Sequence, residues 1–201
     1  PFAATSPILQ AAAMDAEAVQ AGQWWRIVTA LLVHADVGHL LGNVCCLLLL
    51  GRVACALFGS GLAWLLILGA GIAGNALEAW VFPGMRLAVG ASTAGFGALG
   101  LLVAHRAVQR ARHWNYAAPA LREFGLPVIA GLMMLALLGS GPRSDLAAHA
   151  LGMFSGACFG AALGATAIPR LPAWCQRALE LLTLAIVMLA WRAAFTGTAG
   201  A

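Results

Sequence analysis

The sequence predicts an all-α protein, a polytopic transmembrane helical bundle, and three observations carry that expectation. The chain is 62% hydrophobic and 9% charged, with a mean hydropathy of +0.90, whereas an ordinary soluble domain has about 25% charged residues. Six apolar stretches, at about 37–58, 60–82, 91–110, 119–140, 146–168 and 173–195, are each long enough to cross a hydrocarbon core of ~30 Å. Gly, Pro and Arg punctuate the gaps between them, as expected where spans end.

Taken in order, residues 1–36 are expected to form an extracytoplasmic loop region, 37–168 a membrane core, and 169–201 an additional C-terminal transmembrane helix. The chain opens on Pro1 with neither a basic n-region nor an apolar h-region, so no signal peptide is read. It is expected to be a piece of a longer protein. The first span opens at His34-Ala-Asp-Val-Gly-His39-Leu-Leu-Gly-Asn43, the third opens at Gly90-Ala91-Ser92-Thr93, and the fifth starts after Gly141-Pro142-Arg143 and carries His149.

Charge gives the orientation. All eleven basic residues are Arg, and basic residues favour the cytoplasmic side. Placing Arg52, Arg106, Arg110, Arg112, Arg122, Arg170 and Arg177 inside leaves Arg26, Arg86, Arg143 and Arg192 outside, with Asp15, Glu17, Asp36, Glu78 and Asp145 on the outer side. The net charge of +4 then reflects leaflet anchoring. No basic stripe with interleaved aromatics is present, so no nucleic-acid partner is expected. The five cysteines, Cys45, Cys46, Cys55, Cys158 and Cys175, fall in or at the ends of spans without CxxC spacing, and read as small apolar fillers.

Polar side chains inside a span are costly and mark function. Spans one, three and five all run from outside to inside, so His34 and His39, Ser92, and His149 come to one height near the outer face. Gly90, Gly95, Gly97 and Gly100 pave the third span, and Gly152, Gly156, Gly160 and Gly164 recur every fourth residue in the fifth. Such small-residue seams let membrane helices approach closely. A serine hydroxyl needs a base to become a nucleophile, and an imidazole is the usual one. Pairing Ser92 with His149 supplies that arrangement. An oxyanion would need donors: the Ser92 amide at a helix start, with its positive dipole end, is one candidate. His39 and Asn43, four residues apart on one helical face, are the others. Asp145 precedes His149 by four residues, and its position at the start of the fifth span reads as an N-cap, leaving a dyad.

These residues resemble the rhomboid intramembrane serine proteases over roughly residues 23–165. Trp25-Arg26 resembles the family's first-loop element, and His34-x4-His39-x3-Asn43 its second-span motif. Gly90-Ala91-Ser92, with Phe96 one turn on, is similar to its nucleophile span, and Ala148-His149-x-x-Gly152-x-x-x-Gly156 to its base-bearing span. The resemblance implies Ser92 as nucleophile, His149 as general base and acid, and an oxyanion site from His39, Asn43 and the Ser92 amide. It implies Phe96 packed on the His149 ring, His34 as a structural bonder where loop passes into helix, and Trp25-Arg26 anchoring the first loop at the membrane interface. Two features depart from the family pattern. The family's first span is missing, so a rhomboid-like bundle of six spans is expected here, the last being additional. Thr93 stands where the family usually has glycine, and its β-branched side chain is expected to narrow substrate access.

The implied reaction is acyl transfer without metal or cofactor, on other membrane proteins cut in or beside a transmembrane segment near the outer face. The implied location is a lipid bilayer, most naturally a bacterial inner membrane. The alternatives are a catalytically inactive rhomboid-like module that binds membrane proteins, and a small transporter. There is no His-Glu-x-x-His for a metalloprotease and no pair of intramembrane aspartates.

Overall fold

The computed structural model describes residues 6–84, 87–112, 145–166 and 171–197. Secondary structure among these is helical apart from one isolated bridge between Met14 and Ala88. Three short helices, α1 (Pro7–Ala12), α2 (Ala16–Gln20) and α3 (Arg26–Thr29), precede five long ones: α4 (Val37–Phe58), α5 (Ser60–Val81), α6 (Ser92–Arg112), α7 (Leu146–Ala165) and α8 (Ala173–Gly197). Four of the long helices, α4, α5, α7 and α8, are long and apolar enough to cross a membrane. The fifth, α6, takes the place of the expected third span but is less apolar, because His105, Arg106, Arg110 and Arg112 fall in its last two turns. The expected span at 119–140 lies outside the described residues, so six spans are not established. The segment expected as an extracytoplasmic loop contains α1 to α3.

Outward faces of the long helices are apolar. On α4, Leu41, Leu48 and Leu49 are exposed, and on α8 so are Leu181, Leu184 and Met188. That much apolar surface belongs against lipid tails, where exposing it carries no hydrophobic penalty.

The interior is built from small residues. Packing is most extensive between α6 and α7, with α5 against both. A Cβ added at Gly152 would run into the Thr93 carbonyl oxygen, at Gly156 into that of Gly97, at Gly160 into that of Leu101, and at Gly164 into that of His105. Each glycine thus meets the residue one α6 step of four further along, so the two helices run parallel and in register. This is the course expected of two spans separated by one. Glycine is required because the colliding atom is backbone, which no rotamer change can move. Such contacts let Cα–H groups lie against carbonyl oxygens, a weak but repeated attraction.

Hairpin ends are sealed by α8. The Gln176 side chain donates from Nε2 to the Phe58 carbonyl at 2.9 Å and accepts from the Leu62 amide at 3.0 Å. Those are groups that the end of α4 and the start of α5 leave without intrahelical partners, and unsatisfied backbone is expensive in an apolar environment. Ser60 Oγ also donates to Glu180 at 2.6 Å.

Replacing Gly156 with Ala forces α6 and α7 apart and is expected to lower stability by about 1–3 kcal/mol. Gly42→Ala, where nothing lies within 4 Å of the added methyl, is expected to stay within about 0.5 kcal/mol. Thermal unfolding of both variants in one detergent checks the contrast.

Candidate active site

The first turns of α4, α6 and α7 meet at one end of the bundle, and sequence chemistry explains each beginning. Asp36 caps α4, accepting from the His39 amide at 2.8 Å, and Asp145 caps α7, accepting from the Ala148 amide at 3.0 Å. Both carboxylates also suit the positive end of a helix dipole.

At this junction Ser92 Oγ and His149 Nε2 lie 2.7 Å apart, within the range of a good hydrogen bond. Ser92 is half-buried while His149 is 4% exposed, so the imidazole is the more deeply enclosed of the two. The Phe96 ring lies against the imidazole, with centroids 4.6 Å apart. Among the described residues no partner meets His149 Nδ1, and Asp145 is engaged in capping α7.

The loop before Ser92 is held from three directions. Met14 and Ala88 exchange backbone hydrogen bonds, the Gly90 amide donates to the Ala30 carbonyl at 2.8 Å, and the Ala91 amide donates to His34 Nε2 at 3.3 Å. Gly90 has φ +121°, and a Cβ there would sit 2.5 Å from His39 Cε1, 2.6 Å from its Nε2 and 3.3 Å from Asn43 Nδ2. Only glycine accepts both that dihedral and that crowding. His39 and Asn43 therefore converge beside the backbone that leads into Ser92. Among the described residues Asn43 Nδ2 is buried with no hydrogen-bond acceptor, and the Ser92 amide, in the first turn of α6, has none within its helix. Unmet donors at one point suit an anion that forms transiently.

Three expectations are corrected. Arg26 is directed into the protein: it is 8% exposed and donates to Gln23 Oε1 and the Ala13 carbonyl, both at 2.7 Å. Burial pulls its pKa down, with partial compensation from Asp15. Trp25 is turned inward too, its indole donating to the Ala11 carbonyl at 3.3 Å while its ring fills the space beside Gly197. Thr93 does not crowd the mouth of the site: it is 4% exposed, with its methyl directed at Gly74 of α5 and Gly152 of α7. Gly152 and Gly156 lie on the α6–α7 seam.

Two polar residues of α5 had no signal in the sequence beyond their position in an apolar run. Asn75 donates to the Ile27 carbonyl at 3.0 Å and so ties α5 to α3. Glu78, placed on the outer side by charge bias, is 2% exposed and faces the Asp145 carboxyl group. Sites for a metal ion, groups of three or more His, Cys, Asp or Glu, do not occur among the described residues.

A membrane-embedded helical bundle with a serine and a histidine paired where its helices begin is the class that fold and site define. Residues 21–166 match the Rhomboid domain family model, and the chain belongs to the rhomboid family. It is an integral, multi-pass membrane protein. It is 30% identical over 183 residues to "Rhomboid protease GluP" of Bacillus subtilis, covering 90% of this chain and 33% of that protein. It is 33% identical to "RHOMBOID-like protein 7" of Arabidopsis thaliana, covering 69% of this chain and 42% of that one. For "Rhomboid-like protease 1" of Toxoplasma gondii the identity is 31%, covering 71% and 48%. The chain thus spans between a third and about half the length of these relatives. No solved structure gives a significant match.

His34 can accept from Ala91 only when Nε2 is unprotonated. Burial, helped by neighbouring His39 and opposed by a bond to the Leu32 backbone, holds its pKa below the ordinary value of 6.5. The folded state therefore disfavours the charged ring, and stability is complete above that ordinary value and erodes as pH falls below it. Melting temperature is expected to drop between about pH 7.5 and about pH 5.5, and the drop is expected to shrink in His34→Gln.

Proposed function

We propose that this chain is the catalytic membrane core of an intramembrane serine endopeptidase that cuts transmembrane segments of other membrane proteins near the outer face. The observation that carries this reading is the 2.7 Å contact between Ser92 Oγ and His149 Nε2, in a chain of a family whose similar members include named proteases.

Ser92 attacks the substrate carbonyl while His149 Nε2 takes its proton. The developing oxyanion is met by the Ser92 amide, Asn43 Nδ2 and His39, preorganised donors, of which Asn43 Nδ2 is buried without a partner among the described residues. His149 then passes the proton to the leaving amine, and water, activated by the same imidazole, releases the acyl-enzyme. Phe96 fixes the plane of the imidazole. Asp145 stays outside the proton transfers, so the machinery is a dyad, and none of these steps calls for a metal or cofactor.

Water must reach this site although the bundle is in lipid, which requires an opening toward an aqueous face. The Arg bias supports an opening on the extracytoplasmic side of what we take to be a bacterial inner membrane. A substrate helix hides its carbonyls in i→i+4 hydrogen bonds and has to unwind locally before attack.

Full-length protein in detergent, incubated with a transmembrane reporter, tests the assignment. Ser92→Ala and His149→Ala are each expected to reduce cleavage by at least about 10³-fold, and Asn43→Ala to cut kcat by about 10²-fold. Asp145→Ala is expected to keep most of the activity. Cleavage that survives in Ser92→Ala contradicts the assigned nucleophile, and a wild type as inert as Ser92→Ala points to a binding module instead.

A further inference from the structure

The geometry points to Thr93 as a positioning residue: its methyl group fills the notch where α5, α6 and α7 meet and so holds Ser92 against His149. The inference rests on the dyad reading above and adds a residue to it.

Thr93 follows Ser92 directly and is buried. A Cβ built at Gly74 or at Gly152 would lie 2.8 Å from Thr93 Cγ2 in either case, so the methyl already occupies the space that side chains at those positions would take. The same Cβ at Gly74 would lie 2.8 Å from both Cα and N of Gly152, so the α5 and α7 backbones all but touch there. One level deeper, Gly97 faces Ala70 Cβ. The notch is thus walled by backbone and by residues with no side chain able to swing in.

Gly152 lies one turn after His149 on α7, and its Cα rests on the Thr93 carbonyl. A change of packing at Thr93 is therefore transmitted to both members of the pair, through one peptide bond to Ser92 and one helical turn to His149. Interiors of this density have few ways to relax. An emptied methyl site closes only by movement of a helix, and small misplacements of reacting groups cost rate steeply. Substrate contacts are untouched, because the side chain does not face the mouth of the site.

The test is a steady-state comparison of full-length wild type, T93S, T93A and T93V on the transmembrane reporter, with Ser92→Ala as the blank. T93S and T93A, which lack the methyl, are expected to lose about tenfold in kcat with KM changed by less than about twofold. T93V, which keeps the methyl and drops the hydroxyl, is expected to stay within about threefold of wild type. T93S cleaving at the wild-type rate overturns the inference, as does a loss in T93V that equals that in T93A, or a change confined to KM. If wild type and Ser92→Ala are equally inert, the dyad reading fails and takes the inference with it. An active wild type with an unimpaired T93S sinks the inference alone.

Discussion

Contact between the backbones of α6 and α7 is the constraint on which the rest of the structure depends. Four glycines of α7 lie in sequence against four carbonyl oxygens of α6, which fixes the separation, direction and register of the two helices together. A hydroxyl on the first residue of α6 and an imidazole in the first turn of α7 can then bond directly. Elsewhere in the bundle a methyl group more or less changes packing. Along this seam it moves Ser92 relative to His149.

A second layer of order acts on the loop before Ser92. Helices α1 and α3 are joined by the bond of Thr29 to the Ala12 carbonyl, and the segment is stitched to α5 by the bonds of Gln20 to the Ala79 carbonyl and Asn75 to the Ile27 carbonyl. The segment they form in turn grips residues 88–91 through backbone bonds and His34. Buried Arg26 belongs to this scaffold: its guanidinium satisfies the Ala13 carbonyl, next to the Met14 that pairs with Ala88. The first-loop element thus supports the loop before Ser92 from a distance. At the other end of the bundle Gln176 of α8 satisfies the hairpin between α4 and α5, which gives the C-terminal helix a structural role in the same network.

Much of this could be read from the sequence because a bilayer leaves few choices. Apolar runs of sufficient length favour helices, and the start of α7 followed from Asp145 as a capping residue. The glycine period of four in α7 announced a close helix neighbour, and the parity of spans brought Ser92, His39 and His149 to one end. What escaped reading were side-chain directions. Thr93 could have faced the site or the seam, and only the position of Gly74, on a helix with no distinctive period, decides for the seam. Trp25 and Arg26 have the chemistry of interface anchors, yet unmet carbonyls at Ala11 and Ala13 and the gap at Gly197 draw them inward. Gln176 gave no signal at all, since its partners are the ends of a hairpin more than a hundred residues away in the chain.

The most direct measurement is fluorophosphonate trapping of the full-length protein followed by peptide mass spectrometry. A hydroxyl activated by an adjacent imidazole reacts with such a probe, and an ordinary buried serine does not. The account predicts an adduct on Ser92 in the wild type that disappears in His149→Ala while the protein stays folded. An adduct on a different serine, or undiminished labelling of Ser92 without the imidazole, would contradict it.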